Sequence, residues 1–146
     1  MKRIYLILFI LFLGLSTTVS SQETAMLLTG TWTFDYQESL QIMDTASKMH
    51  LDSVSPIRKQ RIESSYIGRQ VTFNTDGSYS QILSDGHIAN GTWALSADNQ
   101  YVSIADSNGN SYTQKIEVLS ATQLVLKPVL SANTRMLISI WSFVKS

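Results

Sequence analysis

Turn-forming residues recur about every 10 residues through the second half of this chain, with short alternating segments between them. The clearest turns are residues 74–77 (Asn-Thr-Asp-Gly) and 106–110 (Asp-Ser-Asn-Gly-Asn), whose residue types favour tight hairpins. Alternation of apolar and polar residues is typical of a strand with one buried face. This spacing restricts the fold to a small antiparallel sandwich or barrel.

Eight strands are predicted, one before residue 37 and seven after residue 68. In the first, Trp32, Phe34 and Tyr36 share one face, with Thr and Asp residues between them. The others are predicted over residues 69–73, 78–83, 87–95, 101–105, 111–119, 124–129 and 135–144. The last is apolar on both faces, so both faces must be covered. Sequential hairpins whose last strand pairs with the first leave no open edge, so we predict an antiparallel eight-stranded up-and-down barrel.

A helix–turn–helix insert is predicted between the first two strands, over about residues 38–68. The first helix is expected over residues 39–50, from apolar residues at helical spacing. The second begins at Ser55-Pro56, because Ser can cap a helix and Pro fits its first position. Ile57, Ile62 and Tyr66 are expected on its inner face, and Gly68 is a natural stop. We expect the insert to cover the outer face of the last strand.

The N-terminus has the pattern of an export signal. Lys2 and Arg3 precede an apolar run over residues 4–15, and small polar residues follow as far as Ser21. The run is shorter than the roughly 20 residues that a membrane-spanning helix needs. We therefore predict a signal peptide over residues 1–21 and a barrel domain over 22–146, beginning at Gln22; an uncleaved anchor is the alternative. The predicted location is extracytoplasmic, periplasmic or secreted, with no integral membrane span after cleavage.

Composition excludes several classes of function. The chain has no Cys, which rules out thiol nucleophiles, Cys-based metal sites, disulfides and a lipid-modified N-terminal Cys. Lys2 and Arg3 are two of its 11 basic residues, so the predicted mature chain carries nine basic against 11 acidic side chains. A slightly negative domain has no electrostatic footprint for nucleic acid.

At the start of the first predicted strand, Gly30-Thr31-Trp32 resembles the Gly-x-Trp signature of lipocalins and their calycin relatives. With the helical insert and a closing Trp-x-Phe at 141–143, the layout from Leu28 onward is similar to small exported lipocalin-like domains of Bacteroidota. The resemblance implies that Gly30 and Trp32 form the base of the barrel, where a cation from the last strand covers the indole. Arg135 lies at the start of that strand and Lys145 at its end.

Five residues are candidates to face a ligand. Gln81 and Gln114 fall on the face assigned to the barrel interior, beside Tyr79, Tyr112 and Trp93. Burying an amide without a partner costs roughly 1–3 kcal/mol. Either these residues face a wet or ligand-filled cavity, or the inner face is assigned wrongly in their strands. Aromatic walls with a few polar groups are typical of small-molecule pockets.

The leading hypothesis is an exported, non-enzymatic barrel that binds a small, largely apolar ligand. The alternative is a structural or protein-interaction module of the cell envelope, with a filled barrel and no ligand. The size of the cavity separates them, because an eight-stranded barrel can either be filled by its own side chains or hold one small ligand. No catalytic constellation, metal-ligand set or cofactor motif is found; His50 and His87 are the only histidines and stand apart in the sequence.

Overall fold

The computed structural model describes residues 21–146. The predicted signal peptide lies outside the described residues except for Ser21, which begins the first helix. In chain order, the elements of the described part are α1 (Ser21–Leu28), β1 (Gly30–Asp35), α2 (Tyr36–Ile42), α3 (Thr45–Asp52), α4 (Pro56–Tyr66), β2 (Gln70–Phe73), β3 (Ser78–Ile82), β4 (Ile88–Leu95), β5 (Tyr101–Asp106), β6 (Ser111–Leu119), β7 (Gln123–Pro128) and β8 (Trp141–Lys145). None of these helices is long and apolar enough to cross a membrane.

The eight strands form a closed antiparallel barrel in sequence order, which confirms the predicted lipocalin-like architecture. Closure is made by β1 and β8, where Phe34 lies opposite Phe143. The rings of these two residues meet edge to face at 5.3 Å, a favoured aromatic geometry. Every strand therefore has two hydrogen-bonded neighbours, and no edge is open to another chain.

The predicted insert is confirmed between β1 and β2, but it contains three helices rather than two. The predicted helix over residues 39–50 is interrupted because Met43 and Asp44 are extended and Asp44 caps a new helix. Its carboxylate accepts hydrogen bonds from the Ser47 amide and hydroxyl, both at 2.8 Å. The first strand also ends earlier than predicted, because Asp35 caps α2 by accepting from the Glu38 amide at 2.9 Å.

The insert is anchored to the barrel mainly through α2, which packs on the outer face of β8. The buried Ser39 hydroxyl donates to the Asp35 carbonyl at 2.6 Å and accepts from the Ser142 amide at 2.8 Å. By contrast, α4 has no fully buried residue, and Ile57, expected on its inner face, is exposed. The insert is thus held firmly at its start and more lightly at its end.

Helix α1 was not predicted from the sequence. It packs across the base of the barrel with Leu28 and Thr24 buried, and the Trp32 indole nitrogen donates to the Leu28 carbonyl at 2.7 Å. Only eight residues long, it forms on the barrel rather than by intrinsic propensity, because isolated helices of this length are marginal in water.

Most strand boundaries lie within one residue of the prediction, and the largest difference is in the last strand. The last strand begins at Trp141 rather than at residue 135, and residues 129–140 are irregular. Strand β7 ends at Pro128, one residue earlier than predicted, although the Val129 amide still donates to the Thr113 carbonyl at 2.9 Å. In β6 the register shifts between Ile116 and Val118. Strict alternation from Gln114 would place Val118 inside, but this irregularity exposes Val118 and packs Leu119 against the core.

Candidate functional site

The base of the barrel is closed by Trp32 and Lys145. Trp32 is fully buried, and the Lys145 Nζ lies 4.3 Å from the centroid of its ring. The same ammonium donates to the Leu27 carbonyl at 3.0 Å and to the Thr29 carbonyl. Gly30 leaves room for this side chain, since a Cβ there would lie 2.8 Å from Lys145 Cε. Of the two cations considered from the sequence, Lys145 covers the indole, whereas Arg135 is exposed.

The barrel interior beyond this base contains a small cavity. Aromatic rings from β1, β2, β8 and α4 form much of its wall, and polar groups come from β3, β6 and the residue before β2. Phe34 connects two sides of this wall, because it packs at 5.1 Å on Tyr66 of α4 as well as on Phe143. The other polar wall residues are Tyr79, Gln81, Gln114 and Arg69.

The cavity is narrow. The atom-free hollow between these side chains, including its open mouth, is about 330 Å³. The part that the centre of a water molecule can reach is only about 10 Å³, which is room for about one water. The volume that water can reach decides what fits without rearrangement. In this conformation the barrel is therefore nearly filled by its own side chains.

Three of the five candidate ligand residues meet at this cavity. Tyr79, Gln81 and Gln114 line it, whereas Trp93 and Tyr112 do not belong to its lining. Trp93 packs on Phe73 at 5.6 Å and donates from its indole nitrogen to the Asn74 carbonyl at 2.9 Å. Tyr112 is 37% exposed. The structure thus brings together the two glutamines and one tyrosine.

Gln114 is the most unusual polar residue of the site. Only 4% of it is exposed, and within residues 21–146 its side-chain amide makes no hydrogen bond to another residue. Its tip instead faces the cavity. The fully buried polar side-chain atoms without a partner in the described part of the chain are Asn99 Oδ1 and Ser142 Oγ. The Gln114 amide is not one of them, so it is open to the cavity and suited to a water or to a polar atom of a ligand.

Tyr79 and Gln81 form a weak pair beside it. The Tyr79 hydroxyl donates to Gln81 Oε1 at 3.4 Å, which is long for an O–H donor. Burial raises the pKa of Tyr79 well above its ordinary value, with a smaller contribution from Tyr112. The phenol is therefore a neutral donor near pH 7 rather than a general base.

Arg69 and Tyr66 are among the lining residues that were not singled out as ligand contacts from the sequence. The Arg69 guanidinium carbon lies 4.3 Å from the centroid of the Tyr66 ring, and Arg69 Nε donates to the Ser65 carbonyl at 2.6 Å. Arg69 has the same parity as Val71 and Phe73 of β2, which point inward. Extending the alternation by one step would have placed it at the cavity.

The site has no constellation for acid–base or metal chemistry in the described residues. His87 is exposed and contacts Asp85 at 3.1 Å in a turn, while His50 borders a separate surface groove near Arg135. No group of three or more His, Asp or Glu side chains within residues 21–146 could hold a metal ion. The geometry offers hydrogen-bond donors, one cation and aromatic walls.

Comparisons with known proteins give fold-level similarity only. No family model matches the chain, and no curated protein matches it. Among solved structures, it is similar to a DUF4847 family protein from Bacteroides vulgatus, with 14% identity, a TM-score of 0.48, and coverage of 82% of this chain and 94% of that one. It is also similar to a lipocalin-like protein from Bacteroides uniformis, with 18% identity, a TM-score of 0.43, and coverage of 82% and 97%.

Proposed function

We propose that this protein is an exported, non-enzymatic barrel that binds a small, largely apolar molecule in the cavity at the barrel mouth. The observation that carries the proposal is the Gln114 amide, which is buried, faces the cavity and has no partner among the described residues. A core evolved only for packing favours an apolar residue at such a position, because an unpaired amide is costly.

The walls support the same proposal. Phe34, Phe73 and Trp141 supply aromatic surface, while Tyr79 and Gln81 supply polar atoms. This combination, mostly apolar with few polar groups, is typical of small-molecule sites. Export is supported by the basic and apolar pattern of the first 21 residues.

A second candidate is a structural or protein-interaction module of the cell envelope with no ligand. It is favoured by the small space inside the barrel, about 10 Å³. The two candidates differ in one respect: a binding barrel must open at the mouth cavity, whereas an interaction module can stay closed.

Native mass spectrometry of the protein purified from the organism that makes it tests the proposal. We expect an adduct of one small molecule that is released on denaturation. Gln81→Leu and Gln114→Leu should reduce the adduct while the barrel still folds. Gln100→Leu, at an exposed turn position, is the matched control and should retain it. A protein that is consistently free of adducts would favour the interaction module.

A further inference from the structure

We infer that the mouth cavity takes a small aromatic carboxylate, whose anionic group pairs with Arg69 and whose ring replaces the ring of Tyr66. The inference rests on the proposed function and names the ligand class of the same site. Three observations support it: the positive charge of Arg69, the position of the Tyr66 ring between two aromatic rings, and the light burial of the helix that carries Tyr66.

Charge is the first step. Arg69 is the only formally charged residue in the cavity lining, and within residues 21–146 it has no carboxylate partner within 4 Å. One of its five N–H groups donates to the Ser65 carbonyl, and the others make no hydrogen bond in the described part of the chain. A guanidinium with free N–H groups matches the two oxygens of a carboxylate.

The neighbouring titratable groups leave this positive charge uncompensated. Burial raises the pKa of Tyr66 and of Tyr79, although Arg69 opposes this effect at both. Both phenols are therefore neutral near pH 7. The cavity carries one positive charge and no negative one, which favours an anionic ligand over a neutral or cationic one.

Tyr66 occupies an aromatic site within the cavity wall. Its ring lies between Phe34, at 5.1 Å, and Trp141, at 6.3 Å, and the Arg69 guanidinium stacks on it. An aromatic ring held by two aromatic rings and a cation occupies a site suited to any flat aromatic group. Tyr66 thus acts as an internal plug that a ligand ring can replace.

The Tyr66 side chain can leave the cavity. It is the last residue of α4, a helix with no fully buried residue. Gly68, two positions later, has φ +81° and open space around its Cα. The Arg69 backbone is fixed by hydrogen bonds that a rotation of the Tyr66 side chain leaves intact, because its carbonyl accepts from the Phe34 amide at 2.9 Å and its amide donates to the Tyr66 carbonyl at 3.2 Å. The Tyr66 side chain can therefore turn outward while Arg69 stays in place.

The space that the Tyr66 ring would leave is large enough for one ligand ring. A cavity of about 150 Å³ with apolar walls accommodates benzene, so removing one phenol ring makes room for one aromatic ring. The Gln114 amide and the Tyr79 hydroxyl line the same cavity as the guanidinium, with Gln114 on a strand across the barrel from Arg69. They are further polar groups that the ligand can contact.

The test uses two matched probes, 3-phenylpropionate and its uncharged analogue 3-phenylpropanamide. Binding is followed on the mature protein by NMR titration of the Gln114 side-chain amide and the Trp141 indole N–H. We expect the acid to bind roughly tenfold more tightly than the amide, the scale of a charge-assisted hydrogen bond. Arg69→Gln should abolish this preference, and Arg61→Gln, at an exposed position of α4, should retain it.

The plug is tested in the same titration. Tyr66→Ala should bind both probes roughly tenfold or more tightly than the natural protein, because no side chain must be displaced. Tyr66→Phe keeps the ring and should bind as the natural protein does. Should the alanine variant unfold, Tyr66→Leu gives the same comparison, and the Arg69 result does not depend on either.

The outcomes separate the ligand class from the proposed function. Equal binding of acid and amide would overturn the carboxylate and leave small-molecule binding intact. An acid preference that survives in Arg69→Gln would overturn the role of Arg69. If neither probe shifts the Gln114 amide, even in the Tyr66→Ala or Tyr66→Leu variant, the inference and the mouth cavity as a binding site both fail.

Discussion

The ammonium group of Lys145 lies 4.3 Å from the centroid of the Trp32 ring and joins the two ends of the described chain. It also binds the carbonyls of Leu27 and Thr29, at the C-terminal end of α1, where a cation is favoured by the helix dipole. One side chain therefore ties α1, β1 and β8 together at the base. The proposed binding site lies away from this tie, at Tyr66 and Arg69.

Lys145→Met should destabilise the protein by about 1–3 kcal/mol, because it removes the contact with the indole and leaves two carbonyls with one partner fewer. Urea unfolding followed by Trp fluorescence measures the change. Lys115→Met is the control, since Lys115 pairs only with Glu117 at the surface, and it should cost less than about 1 kcal/mol. Equal effects of the two substitutions would show that Lys145 does not hold the base.

Gln114→Leu should increase the free energy of unfolding by about 1 kcal/mol while it weakens ligand binding. The reason is that leucine removes an amide that has no partner among the described residues. The same urea titration measures this effect, with Gln100→Leu as the exposed comparison. A marked loss of stability would mean that the amide is well satisfied in the folded protein, contrary to the binding proposal.

Gly91→Ala should destabilise the barrel by about 3 kcal/mol or more. A Cβ at this position in β4 would lie 2.2 Å from the Ala105 carbonyl oxygen in β5, so the two strands must move apart. Thermal unfolding by circular dichroism measures the loss, and Thr92→Ala, on the exposed face of the same strand, is the control. An unchanged midpoint would contradict the close approach of β4 and β5.

Stability should fall at alkaline pH. Burial raises the pKa of Tyr79 above that of the unfolded chain, so the folded state holds this proton more tightly. The resulting stabilisation is complete below about pH 10 and is lost as the pH rises above it, by up to about 1.4 kcal/mol per pH unit. Unfolding measured between pH 8 and about pH 11 should show this slope. Tyr79→Phe should flatten it more than Tyr112→Phe, whose ring is 37% exposed.

The mature protein is expected to begin at Gln22. N-terminal sequencing and intact mass of the protein from its own host measure this directly. The signal-like segment ends just where α1 begins, at Ser21, so cleavage there would leave the helix that covers the barrel base. A mature chain that still carries residues 4–15 would favour the uncleaved anchor instead.

The barrel was predictable because its signals are local. Turn residues and the alternation of apolar and polar residues can be recognised within short segments. Closure of the barrel is then expected once eight sequential strands are counted. The three-residue pattern ending at Trp32 also predicted a cation over the base but left Arg135 and Lys145 as alternatives, and the structure shows Lys145 there.

The parts that were missed depend on tertiary contacts. Helix α1 exists because Leu28 packs on the barrel, and the irregularity that exposes Val118 depends on pairing with β7. The candidate site was assembled only partly for the same reason. The inward position of Gln114 could be predicted from the alternation along its strand. The contact of Arg69 with Tyr66 could not, because it forms only when the end of α4 packs beside the start of β2.

Electron density in the mouth cavity of protein purified from its own host tests the binding proposal most directly. The proposal predicts density for a molecule larger than one water, within hydrogen-bond distance of the Gln114 amide, with the Tyr66 ring turned out of its place between Phe34 and Trp141. A single water beside Gln114, with Tyr66 seated as described, in protein that carries its natural complement of small molecules, would contradict it.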